Sequence, residues 1–137
     1  MAKLRVGVVS PEREIWSGEA DMVIAKTVDG EIGIMPNHAP VLGVLVEGGV
    51  LRVKRGAEGD LVAAVHGGFL SVADNDVSIL AEAAELGDEV DVAAARDALQ
   101  RAQASIDAGN NDAEAEEEAR LEAKRARARL RAAGEDI

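Results

Sequence analysis

The chain contains no cysteine. That excludes a disulfide framework, a thiolate metal site and a cysteine nucleophile. Aromatic residues are almost as scarce: Trp16 and Phe69 are the only two among 137 residues, so a core built here is aliphatic. No apolar run approaches the roughly 20 residues that a membrane helix needs. The start, MAKLRVGVV, has neither a long apolar stretch nor a small-residue cleavage site. The expectation is a soluble, cytoplasmic chain without direct membrane insertion. Basic charge is in deficit, with a net charge of −11, which argues against a nucleic-acid partner because phosphate binding needs a basic surface. Histidine is limited to His38 and His66, so a metal site would need carboxylates to complete it. No HExxH spacing, G-x-S-x-G elbow, GxGxxG run or P-loop is present. No catalytic residue and no metal site are expected.

What is present falls into two parts with different periods. From Lys3 to about Ala84, short apolar or alternating runs rich in Val, Ile and Gly are divided by turn residues. The runs are 4–9, 21–27, 31–35, 41–46, 49–55, 60–66, 68–72 and 76–81. Strands at this spacing predict an all-β sandwich or barrel. In LRVKR, Leu51 and Val53 share one face while Arg52 and Lys54 share the other. HGG (66–68) reads as a turn between runs, and ADND (73–76) as a hairpin turn, since Asn and Asp tolerate left-handed backbone.

From about Gly87, Ala, Glu and Arg take over, all strong helix formers. Val92, Ala95, Leu99, Ala102 and Ile106 recur at three- and four-residue spacing over 91–107. AGNND (108–112) then interrupts, with Gly109 suited to a left-handed C-cap and Asp112 to an N-cap. A second run, 113–133, aligns Ala119, Ala123, Ala126, Leu130 and Ala133. The short connection predicts an antiparallel helical hairpin. The boundaries follow as a β-sandwich domain over 1–86 and a two-helix arm over 87–137. Because both stripes are mostly alanine, docking gains only a few kcal/mol at about 0.8 kcal/mol per buried methylene, and the arm is expected to form readily and dock weakly. The second helix is acidic at its start and then basic: Arg120, Lys124, Arg125, Arg127, Arg129 and Arg131 are accompanied by Glu122 alone. Macrodipole matching accounts for much of this; the excess marks a surface for an acidic partner or a phosphate.

One stretch, GEIGIMPNHAP (30–40), places His38 between Pro36 and Pro40 behind Glu31 and Gly33. The prolines restrict φ, so the loop holds a defined shape at low entropic cost. It reads as a docking loop, with a simple turn as the rival reading. Together with VVSPEREIWSGEADMV and HGGFLSVADNDVSILAEAAEL, this stretch resembles the epsilon subunit of bacterial F-type ATP synthases over essentially the whole chain.

The resemblance implies a sandwich of about ten strands followed by two α-helices, placed in the central stalk of a proton-driven rotary motor. It implies a non-catalytic subunit, peripheral at the cytoplasmic face of the cell membrane. The sandwich would grip the gamma subunit and rest on the c-ring, with Glu31, Gly33, Pro36 and His38 as interface candidates. The arm would extend toward the alpha and beta subunits and impede ATP hydrolysis, its basic run meeting an acidic partner surface. Some bacterial members bind ATP on the folded arm through an Ile/Leu-Asp-x-x-Arg-Ala motif. Here the matching residues are VDVAAA (90–95), with Ala94 in place of the arginine. Glu85, Asp91 and Arg101 remain as candidate nucleotide contacts. Loss of a charge-assisted donor, worth about 1.5–3 kcal/mol, predicts weak or absent ATP binding, and no cofactor is required. Arg96 lies about 200° around the helix from position 94 and is no simple substitute. Two rival readings stand beside this one: a freestanding nucleotide-sensing module whose arm closes on ATP, and a metal-dependent hydrolase using His38 and His66.

Overall fold

The computed structural model describes residues 2–109 and 112–136. Among them the order is β1 (Leu4–Val9), β2 (Glu14–Ala20), β3 (Met22–Thr27), β4 (Gly30–Ile34), β5 (Val41–Val44), β6 (Gly49–Lys54), β7 (Leu61–Ala73) and β8 (Asp76–Leu86). Then come α1 (Val92–Asp107) and α2 (Ala113–Ala132), with short 3-10 turns at Gly56–Glu58 and Gly87–Glu89. The strands number eight, where the resemblance implies about ten. They pair in the order β2-β1-β8-β7-β6-β3-β4, with β5 added on β7. Only β1 and β8 run parallel; the remaining pairs are antiparallel. The sheet folds over a single aliphatic core drawn from all strands but β5, Leu4, Val23, Ile34, Val53, Leu70 and Ile79 among it, each inaccessible to solvent.

β7 explains how one sheet makes two layers. Its first part pairs with β6 through 61–65, and its last part pairs with β5 through 69–72. Ala63 and Val65 face the core before the corner, Leu70 and Val72 after it, so the inward parity switches. Gly67 and Gly68 make the switch, with φ of +73° and +112°. A Cβ on Gly68 would lie 2.0 Å from the Leu80 carbonyl oxygen. Only glycine meets both demands. HGG is therefore not a turn between strands but a corner inside one 13-residue strand.

The hairpin turn at ADND is as expected: Asp74 and Asn75 both have positive φ, 50° and 66°, the two-residue geometry that matches strand twist. Sequence patterning missed β2. Of EIWSGEA, only Ile15 and Ala20 are buried, and a register shift at Val8/Val9 interrupts its pairing with β1. An edge strand of this kind has no continuous period-2 signal.

The helical hairpin lies against the sandwich. Asp91 caps α1 by accepting the Ala94 N–H at 3.0 Å, and Asp112 caps α2 by accepting from Glu114 and Ala115. Gly109 has a φ of +67°; Asn110 and Asn111 of the connection lie outside the described residues. Ala95, Ala102, Ala119, Ala123, Ala126 and Leu130 are buried, while Leu99 and Ile106 are only partly covered. α2 also buries a stripe that the period over 113–133 did not single out. Ala128 and Ala132 pack on Ala64 of β7, flanked by Val50 and Val62.

Candidate functional site

Small side chains bring α2 unusually close to the sheet. A Cβ at Gly48 would sit 2.7 Å from the Lys124 carbonyl oxygen, and one at Gly87 would sit 2.0 Å from that of Ala132. The seat is thus closed on one side by alanine and on the other by glycine, and the backbones nearly touch.

Around this seat the charged residues pair across the joint. Arg125 donates from Nε to Glu47 Oε2 at 3.1 Å and from Nη2 to Oε1 at 3.4 Å. Arg129 donates from Nε to Glu85 Oε1 at 2.7 Å. Glu47 follows β5 and Glu85 lies on β8, so both carboxylates belong to the sandwich while both guanidinium groups belong to the arm. At the root, Arg13 pairs with Glu89 at 2.9 Å. His66, 6% exposed, shares a cleft with Glu85, Arg125 and Arg129. Its Nδ1 is buried without a hydrogen-bond partner. Burial is the largest influence on its imidazole, followed by the Arg125 charge; together they hold it below the usual histidine range, against the opposing pull of Glu47 and Glu85. The cleft, of about 620 Å³, is also lined by Arg101 and Glu122.

Of the candidate nucleotide contacts, Glu85 and Arg101 therefore share a cleft, but Glu85 is engaged by Arg129. Asp91 does not line this cleft; its carboxylate is used as the α1 cap. The six basic residues of the arm divide. Arg125 and Arg129 turn into the joint. Arg127 donates to Gln103 on α1 at 3.0 Å, and Arg120 pairs one turn back with Glu116. Lys124 and Arg131 are exposed, Lys124 with its backbone over Gly48.

The interface candidates divide as well. Glu31 is exposed on β4 and lines a groove with Lys26, Arg52, Arg131 and Glu135, facing the end of α2. Gly33 is also exposed; a Cβ there would meet only the mobile end of the Met22 side chain, its methyl 2.8 Å away. Pro36 and His38 belong to a separate loop. There Asn37 adopts a φ of +71° and donates its N–H to Asn75 Oδ1 at 2.6 Å, tying the loop to the β7–β8 turn. The His38 N–H donates to the Met35 carbonyl, and its Nδ1 lies 2.7 Å from the Ala39 carbonyl oxygen. The two histidines occupy different surroundings, and the described residues contain no group of three His, Asp or Glu able to hold a metal ion.

The structure adds a feature that pattern reading missed. Register aligns Val9 with Leu80, Leu80 with Phe69, and Phe69 with Val44. Directly opposed residues share a face, so these four side chains form one row across β1, β8, β7 and β5. Leu42 extends the row two positions along β5. All five are exposed, from 39% at Val9 to 73% at Leu42. Phe69 is half of the chain's aromatic content, and its outward position in GFLSV was the available signal. A contiguous apolar patch rather than scattered apolar residues marks an interaction surface.

Residues 3–87 match the family model described as ATP synthase, Delta/Epsilon chain, beta-sandwich domain. The chain is 56% identical over 133 residues to the ATP synthase epsilon chain of Thermobifida fusca (strain YX), covering 96% of this chain and 92% of that one. It is 52% identical over 107 residues to the ATP synthase epsilon chain of Streptomyces coelicolor, covering 78% and 86%. Among solved structures, a chain of the Euglena gracilis mitochondrial ATP synthase (OSCP/F1/c-ring, rotational state 1) matches with a TM-score of 0.82 at 21% identity, over 97% of this chain and 82% of that one. One from the Tetrahymena thermophila mitochondrial ATP synthase (central stalk/c-ring) matches with a TM-score of 0.59 at 20% identity, over 96% of each. These two likenesses speak to the fold. On the strength of the sandwich match and of relatives more than half identical over most of its length, this chain belongs to the family of ATP synthase epsilon chains.

Proposed function

We propose that the chain is a non-catalytic rotor subunit of a proton-driven F-type ATP synthase, coupling c-ring rotation to ATP synthesis through the central stalk. The observation that carries this reading is the row Val9, Leu80, Phe69, Val44 and Leu42 on a folded, rigid sheet. A torque-bearing joint needs a stiff body and an apolar contact without exchangeable water. We assign the row to the gamma subunit. The loop at Pro36 and His38, braced against Asn75, is the contact to the c-ring end, with Glu31 and Gly33 on the neighbouring β4. No helix among the described residues is long and apolar enough to cross a membrane; the reading places the chain peripherally, at the cytoplasmic face, held there by the ring.

The arm is the regulatory part. Docked, its Arg125 and Arg129 are occupied by Glu47 and Glu85. Extended along gamma, the same guanidinium groups, with Arg120, Lys124, Arg127 and Arg131, are free for acidic surfaces of the alpha and beta subunits, and hydrolysis is impeded. Nucleotide binding to the docked arm is weak or absent: Ala94 supplies no donor, Asp91 is used as a cap, and Glu85 is already paired.

Co-expression with the gamma subunit of the same synthase tests the reading. The wild-type chain copurifies with gamma, and Phe69→Glu, a charge in the middle of the row, does not. A wild-type chain that fails to copurify, or a Phe69→Glu chain that copurifies undiminished, refutes it.

A further inference from the structure

His66 is the most enclosed titratable side chain at the joint between α2 and the sheet. It sits on the arm-facing side of β7 next to Ala64, on which α2 packs. Its Nδ1 has no partner. From the sandwich, Glu47 and Glu82 crowd the adjoining Gly67, with carboxylate oxygens 3.1 and 3.0 Å from where its Cβ would be, and Glu85 lines the cleft from β8. From α2 come Arg125, Arg129 and Glu122; from α1, Arg101; and from the loop before β2, Glu12 and Arg13.

The distribution of these charges differs between the two faces of the joint. The sandwich face carries Glu47, Glu82 and Glu85. The α2 face carries Arg125 and Arg129, which neutralise Glu47 and Glu85 while the arm is down. A proton on His66 in the docked state would be buried, would lie beside two guanidinium groups, and would find Glu47 and Glu85 already engaged by them, with the exposed Glu82 the remaining carboxylate of this face. With the arm lifted, both arginines depart, water enters, and two unpaired carboxylates remain beside the ring. The protonated imidazole is therefore the better partner for the lifted state, and the neutral one for the docked state.

We propose that His66 is a proton-sensitive latch: uptake of a proton by the imidazole, buried in the wall of the cleft that it shares with Glu85, Arg125 and Arg129, drives α2 off the sheet. This rests on the reading that the arm undocks. The sign follows from linkage. A group that binds its proton less readily when docked adds to docking at high pH, and that contribution is lost as the solution acidifies. The loss sets in near the ordinary histidine value of about 6.5. Below it the ratio of lifted to docked arm rises up to about tenfold per pH unit while the docked imidazole stays neutral. Acidification of the compartment around the rotor would thus extend the arm and restrain hydrolysis.

The absence of native cysteine permits a clean distance measurement on the full chain. Dyes on Ser71→Cys and Glu118→Cys, both exposed positions, report arm position by energy transfer. The Gly87→Ala background, in which docking is weakened, places the equilibrium within reach. Between pH 7.5 and 5.5, above the general carboxylate range of about 4, the lifted fraction increases in this background. The increase disappears when His66→Gln is added, and equally with His66→Ser should the glutamine variant fold poorly. A pH response that survives both substitutions, or a flat response with His66 present, overturns the latch. If Gly87→Ala leaves the arm docked at every pH and also in high salt, it is the undocking arm itself that fails.

Discussion

Gly87 is where a single methyl group would do most to the joint. Its φ is not in the left-handed region, so alanine there carries no backbone strain; what it meets is the Ala132 carbonyl oxygen at 2.0 Å and its carbon at 2.7 Å. Unstrained contacts lie at about 3.5–4.0 Å, so the end of α2 must retreat by about 1.5 Å. A gap of about 1 Å already forfeits up to half of a dispersion contact. The contacts forfeited are those of Ala128 and Ala132 on Ala64, Val50 and Val62. At about 0.8 kcal/mol per buried carbon this cluster supplies about 2–4 kcal/mol, and overpacking costs about 1–3 kcal/mol, enough to remove most of it. Hydrogen exchange reads this directly. Amides of α2 in Gly87→Ala should lose protection by about five- to a hundredfold, while β8 and the core part of β7 keep theirs. Gly7→Ala is the control, because nothing lies within 4 Å of a Cβ there. Unchanged α2 protection in Gly87→Ala would refute the close seat. An equal loss throughout the sandwich would refute the independence of the two parts.

Other outcomes are expected on the same grounds. Arg129→Gln removes a partly exposed ion pair, so arm docking in the full chain should weaken by about 0.5–1 kcal/mol; energy transfer that falls on raising salt in the wild type, but not in Arg129→Gln/Arg125→Gln, checks the electrostatic share. Phe69→Glu and Leu80→Glu should abolish gamma binding while shifting the thermal midpoint of the isolated chain by no more than a few degrees, since both side chains are about half exposed already. Titration calorimetry with ATP should show millimolar affinity or none, and restoring the arginine by Ala94→Arg should tighten it; micromolar binding by the wild type would contradict the reading. Deletion of 88–137 should leave a folded sandwich that still binds gamma but is less soluble, because Val62, Ala64 and Val50 lose their cover.

Residues whose neighbours are close in sequence announced themselves; those whose neighbours are distant did not. The helical stripes, the cap at Asp112 and the Asp74–Asn75 turn depend on local periodicity and local backbone chemistry, and all were legible; the capping role of Asp91 was not singled out. β2 was not, because its pairing is set by β1 and its position at the sheet edge leaves little to bury. The Gly67–Gly68 corner looks like any Gly-Gly turn until β5 and β6 are seen to claim opposite ends of one strand. The candidate site shows the same division. That Arg125 and Arg129 are basic helix residues follows from sequence, but their partners Glu47 and Glu85 lie 78 and 44 positions away. The apolar row requires the register of four strands, and no single strand displays it. The alanines of α2 suggested weak docking by their small area; the structure shows their other consequence, a close backbone approach that Gly48 and Gly87 permit.

The central claim is that the arm of the assembled synthase leaves this seat to restrain hydrolysis and returns to release it. Cysteines introduced at Ala64 and Ala128, which pack together beneath α2, allow the arm to be locked down by oxidation and freed by reduction within one preparation. ATP hydrolysis should be faster with the arm locked and should fall again on reduction. Equal rates in the locked and freed enzyme would contradict the account.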